Sequence, residues 1–278
     1  MPAAVLALLS SLCWGTGDFL AGILSRKRSA YAVAGASQIV GLVLMAIIVV
    51  VTGDLAIGWG TYVWWAALAS VAGLGGLVMF YLALASGRMG VVSPIAALGV
   101  LVPLGVGLLS GEVPTNIQLI GILIAVVGVI LASGPEVSGE AGVRPVALAL
   151  GAALGFGSFY VFVAQGAQQS PTMTMFAERI WATGLVIAAI LLTRSRGDLQ
   201  RGDTGAVLLI GTLDIAANLT YSLAAEVGLL SVVSVLGSLY PVVTVLLAWL
   251  ILKERLTPVQ YAGVAVALTG VVAINIGY

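Results

Sequence analysis

The sequence predicts an all-α membrane protein of about ten transmembrane helices, arranged as two inverted five-helix repeats. Three observations predict this: a composition too apolar for a soluble chain, a series of unbroken apolar runs, and an internal duplication with an odd number of runs in each half. Of the 278 residues, 61% are apolar and 8% charged, against roughly 45–50% and 25% in soluble domains. A span uses about 20 apolar residues, so about ten spans take roughly 200 residues and leave about 8 for each connection. That excludes a soluble enzyme, a nucleic-acid binder and a large extramembrane domain. An outer-membrane barrel does not fit, because barrel strands alternate apolar and polar residues and these runs are continuous.

Cutting at polar, charged, Gly and Pro clusters predicts helices over 3–23, 31–52, 62–85, 91–110, 116–133, 146–167, 173–193, 205–225, 229–252 and 258–277. Most cuts are sharp, as at Ser25-Arg26-Lys27-Arg28, Thr52-Gly53-Asp54, Gly111-Glu112-Val113-Pro114, Gly134-Pro135-Glu136 and Arg194-Ser195-Arg196-Gly197-Asp198. Thr257-Pro258 sets a capping Thr before a Pro whose missing N–H costs nothing in a first turn. The cuts at Ser86-Gly87-Arg88-Met89-Gly90 and Glu226-Val227-Gly228 are very tight turns. They are needed because an apolar run of about 50 residues is far too long for one crossing. The apolar start Pro2-Ala3-Ala4-Val5-Leu6 lacks a basic region and a cleavage site, so it is read as a retained first span.

Orientation follows from Lys and Arg in the short connections. The odd connections carry Arg26, Lys27, Arg28, Arg88, Arg144, Arg194, Arg196, Arg201, Lys253 and Arg255, and the even connections and both termini carry none. This places the odd connections in the cytoplasm and both termini outside the inner (plasma) membrane. Net charge is zero and there is no His, so neither an anionic partner nor the commonest metal ligand is indicated. The single cysteine, Cys13, lies in an apolar run and is read as a small buried side chain.

The chain repeats itself. Trp14-Gly15-Thr16 matches Phe156-Gly157-Ser158 at an offset of 142, and Gly90, Ser93, Leu98, Gly99, Leu101 and Pro103 match Gly228, Ser231, Leu236, Gly237, Leu239 and Pro241 at 138. Glu112, Thr115, Gln118, Gly121 and Gly128 match Glu254, Thr257, Gln260, Gly263 and Gly270, again at 142. The four-residue change falls between Pro241 and Glu254, so the ninth span is one helical turn longer than the fourth. The repeats are residues 1–138 and 139–278. Five spans each force the second to enter the membrane from the opposite side, the architecture of carriers that rock two related halves around a midplane site.

On these motifs the chain resembles the EamA branch of the drug/metabolite transporter superfamily. The resemblance covers the whole chain and is most specific over Tyr81–Pro103 and Tyr221–Gly270, including Leu-Lys-Glu-Arg-Leu-Thr-Pro-Val-Gln-Tyr-Ala-Gly at 252–263, with Trp14-Gly15 in the first helix. It implies export, or sometimes import, of amino acids and other small metabolites, and a cavity walled largely by the third, fourth, eighth and ninth spans. It does not identify the substrate.

Ionisable groups inside spans point to a site, because a charge at the bilayer centre costs at least roughly 2.5–3.5 kcal/mol. Asp18 lies deep in the first span, Asp214 is central in the eighth, and Glu178 and Arg179 lie about one and a half turns into the seventh. Asp214, Asn218 and Tyr221 share a helix face, as do Trp14 with Asp18 and Phe156 with Tyr160. Two readings stand: Arg179 forms a structural ion pair with Asp18 or Asp214, or these groups and the aromatic rings line a central cavity. Arg179 balances one acid at most, and the surplus of negative charge favours a cationic or zwitterionic substrate or a carboxyl that takes up a proton. Glu178 is the least secure, being shallow enough to snorkel outward. The substrate-binding set is therefore Trp14, Asp18, Tyr160, Arg179, Asp214, Asn218 and Tyr221, with Asp18, Glu178 and Asp214 as candidates for proton coupling.

Pro103 and Pro241 each remove a backbone hydrogen bond in mid-span, as a static kink or as a gating hinge. Gly151, Gly155 and the Gly121/Gly128 and Gly263/Gly270 pairs allow close helix contact. No phosphate-binding loop occurs, so direct ATP coupling is not expected, nor a cofactor, a metal or a catalytic residue. The expected function is secondary transport of a small amino acid or amine-like metabolite, outward, by proton exchange or uniport, in a monomer or homodimer. The rivals are a multidrug or organic-cation exporter of the same fold, an ion channel, which would need a continuous polar stripe, and a membrane enzyme, which would need a nucleophile and base.

Overall fold

The structure, a computed structural model, describes residues 3–25, 27–86, 95–96, 98–132, 143–193, 198–252 and 257–276. Among them the regular structure is helical throughout: α1 (Ala3–Ser25), α2 (Ala30–Thr52), α3 (Tyr62–Ser86), α4 (Leu101–Leu109, entered through a 3-10 turn at Leu98–Val100), α5 (Asn116–Ala132), α6 (Val143–Ala167), α7 (Pro171–Thr193), α8 (Thr204–Val227), α9 (Leu230–Gly237), α10 (Tyr240–Leu252) and α11 (Pro258–Ile276). Seven helical stretches are long and apolar enough to cross a membrane, and shorter apolar helices lie at Leu98–Leu109, Asn116–Ala132 and Pro258–Ile274. These occupy the ten predicted positions. Outside the described residues lie Arg26, Arg88, Arg194, Arg196, Lys253 and Arg255 of the charge bias, Gly90, Ser93 and Glu254 of the repeat, and the junction at 138/139.

The ninth span differs from the expectation of one helix. It is broken at Ser238–Leu239 into α9 and α10. Pro241 is the second residue of α10 and Pro103 the third of α4. Pro241 therefore stands in the first turn of a new segment, where a missing N–H is tolerated, and Pro103 lies just past the 3-10 turn that leads into α4. The helices that follow have 9 residues (α4) and 13 (α10), so the four-residue insertion lengthens α10 by about one turn.

The repeated residues build equivalent local structures. Thr115 and Gln118 exchange bonds at the start of α5, the Thr115 N–H donating to Gln118 Oε1 at 2.9 Å and the Gln118 N–H to Thr115 Oγ1 at 3.3 Å. Thr257 and Gln260 repeat both distances at the start of α11. These are capping boxes, which satisfy amides that a helix start leaves unpaired. The glycines mark the seam of α5 with α11. A side chain at Gly121 would strike Ile274 and one at Gly263 would strike Ala132, while Gly128 meets Ala267 and Gly270 meets Ala125. Each contact has its mate at an offset of 142, as a two-fold interface requires. Gly15 packs against the Tyr240 carbonyl and Val243, and Gly157 against the Gly99 carbonyl and Val102, so each first helix crosses the other half's fourth span through a glycine. Gly151 and Gly155 face Met79 and Gly76, bringing α6 against α3.

The principal contacts between halves obey the same exchange. α1 lies along α8 and α3 along α6; α2 meets α7; α2 meets α8 as α7 meets α3; α1 meets α9 and α10 as α6 meets α4 and its preceding turn; α4 meets α9 and α5 meets α11. Polar contacts sort the connections by face. Ser29 N–H donates to Asp198 and Arg28 Nε to Asp203 at 2.7 Å, joining connections α1–α2 and α7–α8. The Tyr62 N–H donates to Gln169 Oε1 at 2.9 Å, joining α2–α3 and α6–α7. Among the described residues the first connection thus meets the seventh and the second meets the sixth.

Candidate functional site

Three helices bring polar groups to one point in the core. α7 supplies Glu178 and Arg179, α8 supplies Asp214 and Asn218, and α2 supplies Gln38. Arg179 Nη1 lies 2.8 Å from Asp214 Oδ2, and Arg179 Nε lies 3.0 Å from Glu178 Oε2. These are approaches of opposite charge, and Arg179 Nε, Glu178 Oε2 and Asp214 Oδ2 meet hydrogen-bond geometry with no partner among the described residues. Arg179 Nη1 also donates to Gln38 Oε1. The guanidinium is 2% exposed and Glu178 5%, while Asp214 keeps 28% of its side-chain surface. The cluster is sealed on the Glu178 side and open at Asp214. Gly41 on α2 makes room for the arginine stem, a Cβ there lying 3.2 Å from Arg179 Cδ.

Asn218 Nδ2 donates to Asp214 Oδ1 at 2.9 Å and to the Asp214 carbonyl at 2.7 Å. Its own Oδ1 is buried without a hydrogen-bond partner among the described residues. An unmet buried acceptor costs about 1–3 kcal/mol.

Beside this cluster the rings gather. Trp14 stands with its ring centre 5.6 Å from Tyr160, 5.8 Å from Tyr221 and 6.4 Å from Tyr240, and Tyr160 and Tyr221 are 4.9 Å apart. The Tyr221 hydroxyl pairs with Ser234 Oγ at 2.9 Å. Asp18, one turn beyond Trp14, is exposed, lies within electrostatic reach of Asp214, Tyr160 and Tyr240, and makes no ion pair or hydrogen bond among the described residues. Of the two partners left open for Arg179, the structure pairs it with Asp214.

The predicted residues fall on two adjoining groups: Arg179, Asp214 and Asn218 with Glu178, and Trp14, Tyr160 and Tyr221, with Asp18 facing both. Glu178 is a correction, being buried against Arg179 instead of snorkelling outward. Phe156 shares a helix face with Tyr160, lines one cavity with it, and also pairs with Phe80 at 6.0 Å. Pro103 is buried in the first turn of α4, and Pro241 begins α10 beside Tyr240. Sequence reasoning missed Tyr240 and Gln38. Gln38 is an amide in mid-span and Tyr240 immediately precedes the repeated proline, signals weaker than a charge. No group of three or more His, Cys, Asp or Glu among the described residues is placed to hold a metal.

Comparison with known proteins decides the family. The model of the EamA-like transporter family matches residues 1–134 and 143–276. The chain belongs to the EamA-like transporter family. Its members are transporters of the drug/metabolite type, so the chain is a multi-pass membrane transporter with a small-molecule substrate, of two-repeat architecture. It is 29% identical over 132 residues to an uncharacterized protein of Methanocaldococcus jannaschii, MJ1333.1, a match over 96% of that protein and 47% of this chain. That relative is thus about as long as one repeat. A solved crystal structure superposes with a TM-score of 0.83 at 17% identity, covering 99% of this chain and 96% of the other. At that identity the likeness shows the fold alone.

Proposed function

We propose that this EamA-family protein is a secondary transporter that moves small amino acids or amine-like metabolites outward across the inner (plasma) membrane. Residues 1–138 and 139–278 act as the two halves of an alternating-access cycle, around a site drawn from Trp14, Asp18, Tyr160, Arg179, Asp214, Asn218 and Tyr221. The observation that carries the reading is charge. One guanidinium serves both Glu178 and Asp214, and Asp18 has no counter-charge among the described residues. In a low-dielectric bundle an unpaired carboxylate needs a cation, a proton or water. A substrate ammonium near Asp18 and Asp214 supplies the charge, and its N–H groups suit the unmet Asn218 acceptor. Between turnovers a proton on one of Asp18, Glu178 or Asp214 does the same, which makes exchange against protons the natural coupling.

The ring cluster favours a second reading, an exporter of larger organic cations. A cation over the faces of Trp14 and the tyrosines gains about 0.5–2 kcal/mol. A thermal-shift panel of amino acids, polyamines and quaternary amines on purified protein, followed by flux of the hits in liposomes, separates the two. Stabilisation and flux with small amino acids or amines supports the first; quaternary amines alone support the second. Hits confined to anionic metabolites would overturn both.

A further inference from the structure

On the face shared by the α4–α5, α6–α7 and α8–α9 connections, a carboxylate joins the two halves. α4 ends at Leu109. Gly111 then takes φ +89°, a left-handed turn that glycine adopts without strain, and the Glu112 N–H folds back to donate to the Gly107 carbonyl at 3.1 Å. The turn aims the Glu112 side chain across the repeat boundary. Its Oε1 accepts from the Leu230 N–H at 2.5 Å and its Oε2 from the Ser231 N–H at 2.9 Å. Those amides open α9, an eight-residue helix in which every residue is buried and which the break at Ser238–Leu239 separates from α10. Gly107 leaves space for the contact. A Cβ there would stand 2.8 Å from Glu112 Cδ and 3.1 Å from the Ser231 nitrogen.

We infer that Glu112 is a gating residue of the transport cycle, its carboxylate holding the N-terminus of α9 and keeping this face shut until both N–H groups are released. A helix N-terminus carries about half a positive charge, and hydrogen bonds to an ionised carboxylate are roughly twice as strong as neutral ones. Two such bonds from one rigid turn make a contact that is either formed or broken. The other hydrogen-bonded contact between halves on this face among the described residues, Tyr62 and Thr61 with Gln169, is between neutral groups. Beside it lies a cavity of about 130 Å³, lined by Glu112, Ser110, Ala164, Gln165, Gln168 and Gly228 among others, a mouth already walled by polar side chains.

The inference rests on the reading that the halves rock against each other. It is tested without any transported substrate, by thiol labelling of the full-length protein in detergent, in a Cys13→Ser background. One reporter is Ala164→Cys, buried at the cavity; the other is Val33→Cys, buried near the start of α2 on the opposite face. Glu112→Gln keeps the size of the side chain and removes its charge. It should raise the maleimide labelling rate at Ala164→Cys on the order of tenfold and leave that at Val33→Cys unchanged or lower. Gly107→Ala, which pushes the carboxylate off its seat, should act in the same direction and decides the matter if Glu112→Gln does not fold. An unchanged rate at Ala164→Cys, or an equal rise at both reporters, overturns the latch. Absence of amine flux in the unmodified protein counts instead against the proposed substrate class.

Discussion

Arg179 stands apart from the ten other basic residues, which fall in connections or at a helix end, and its surroundings explain why it is tolerated. It answers two carboxylates and a glutamine in a core that gives it almost no solvent. Removing one partner of a buried pair leaves an uncompensated charge, at about 3–5 kcal/mol. Arg179→Gln should therefore lower folded yield and the melting temperature of the purified protein, with Arg179→Lys intermediate; a wild-type melting curve for Arg179→Gln would show that the cluster adds nothing to stability. Asp214 differs, because it is partly open and Glu178 remains to balance the guanidinium. Asp214→Asn should keep the fold, measured as an unshifted gel-filtration profile, and cut flux of a cationic or zwitterionic substrate at least about tenfold, the loss of roughly one charge-assisted bond. Wild-type flux in both Asp18→Asn and Asp214→Asn would remove these carboxylates from the transport site. The charges were legible in the sequence because lipid makes them expensive. Gln38 and Tyr240 were not, since a neutral polar residue in a span is compatible with many surroundings.

The clearest test of element packing is the seam of α5 with α11. Gly128 meets the backbone of Ala267, and Gly270 meets that of Ala125, so a methyl at either must push two helices apart. Overpacking costs about 1–3 kcal/mol, and the two positions are equivalent by the repeat. Gly128→Ala and Gly270→Ala should therefore lower the melting temperature by similar amounts. Gly184→Ala on α7 has nothing within 4 Å of its Cβ, and should be neutral or stabilise by up to about 1 kcal/mol, as alanine is the better helix former. A destabilised Gly184→Ala, or an unaffected Gly128→Ala, would contradict the seam. The repeat made this seam legible, since Thr, Gln and Gly recurred in register before any contact was visible. The break before α10 was only half legible. Pro241 marked it, but a proline does not disclose whether it bends a helix or starts one; the neighbouring Ser238–Leu239 turn decides that.

At the scale of the molecule, an odd number of spans per half and an exchange-symmetric set of contacts leave one question of sign, namely which face is cytoplasmic. Among the described residues the contacts join two groups of connections. Arg28 and Ser29 meet Asp203 and Asp198 on one face, while Tyr62 meets Gln169, and Glu112 meets Leu230 and Ser231, on the other. The ten Lys and Arg other than Arg179 fall in or beside the odd connections of the sequence, two of which form the first face, and short loops rich in Lys and Arg are retained on the cytoplasmic side. The two-fold exchange of the principal helix contacts leaves that sign open, and the Lys and Arg of the connections supply it. Reporter fusions after Lys27, Arg196 and Tyr278 should therefore read inside, inside and outside. Ten crossings from an external start return the chain to the outside, so the third fusion tests the number of spans and the first two test the orientation. If Tyr278 reads inside while Lys27 and Arg196 also read inside, one predicted crossing is missing. If all three are inverted, the ten spans stand and the charge rule has failed for this chain. Moving the basic cluster then separates cause from coincidence: replacing Arg26, Lys27 and Arg28 by Gln should weaken the inside signal after residue 27, whereas the same replacement at Gln168 and Gln169 with Lys should compete with it from the opposite face.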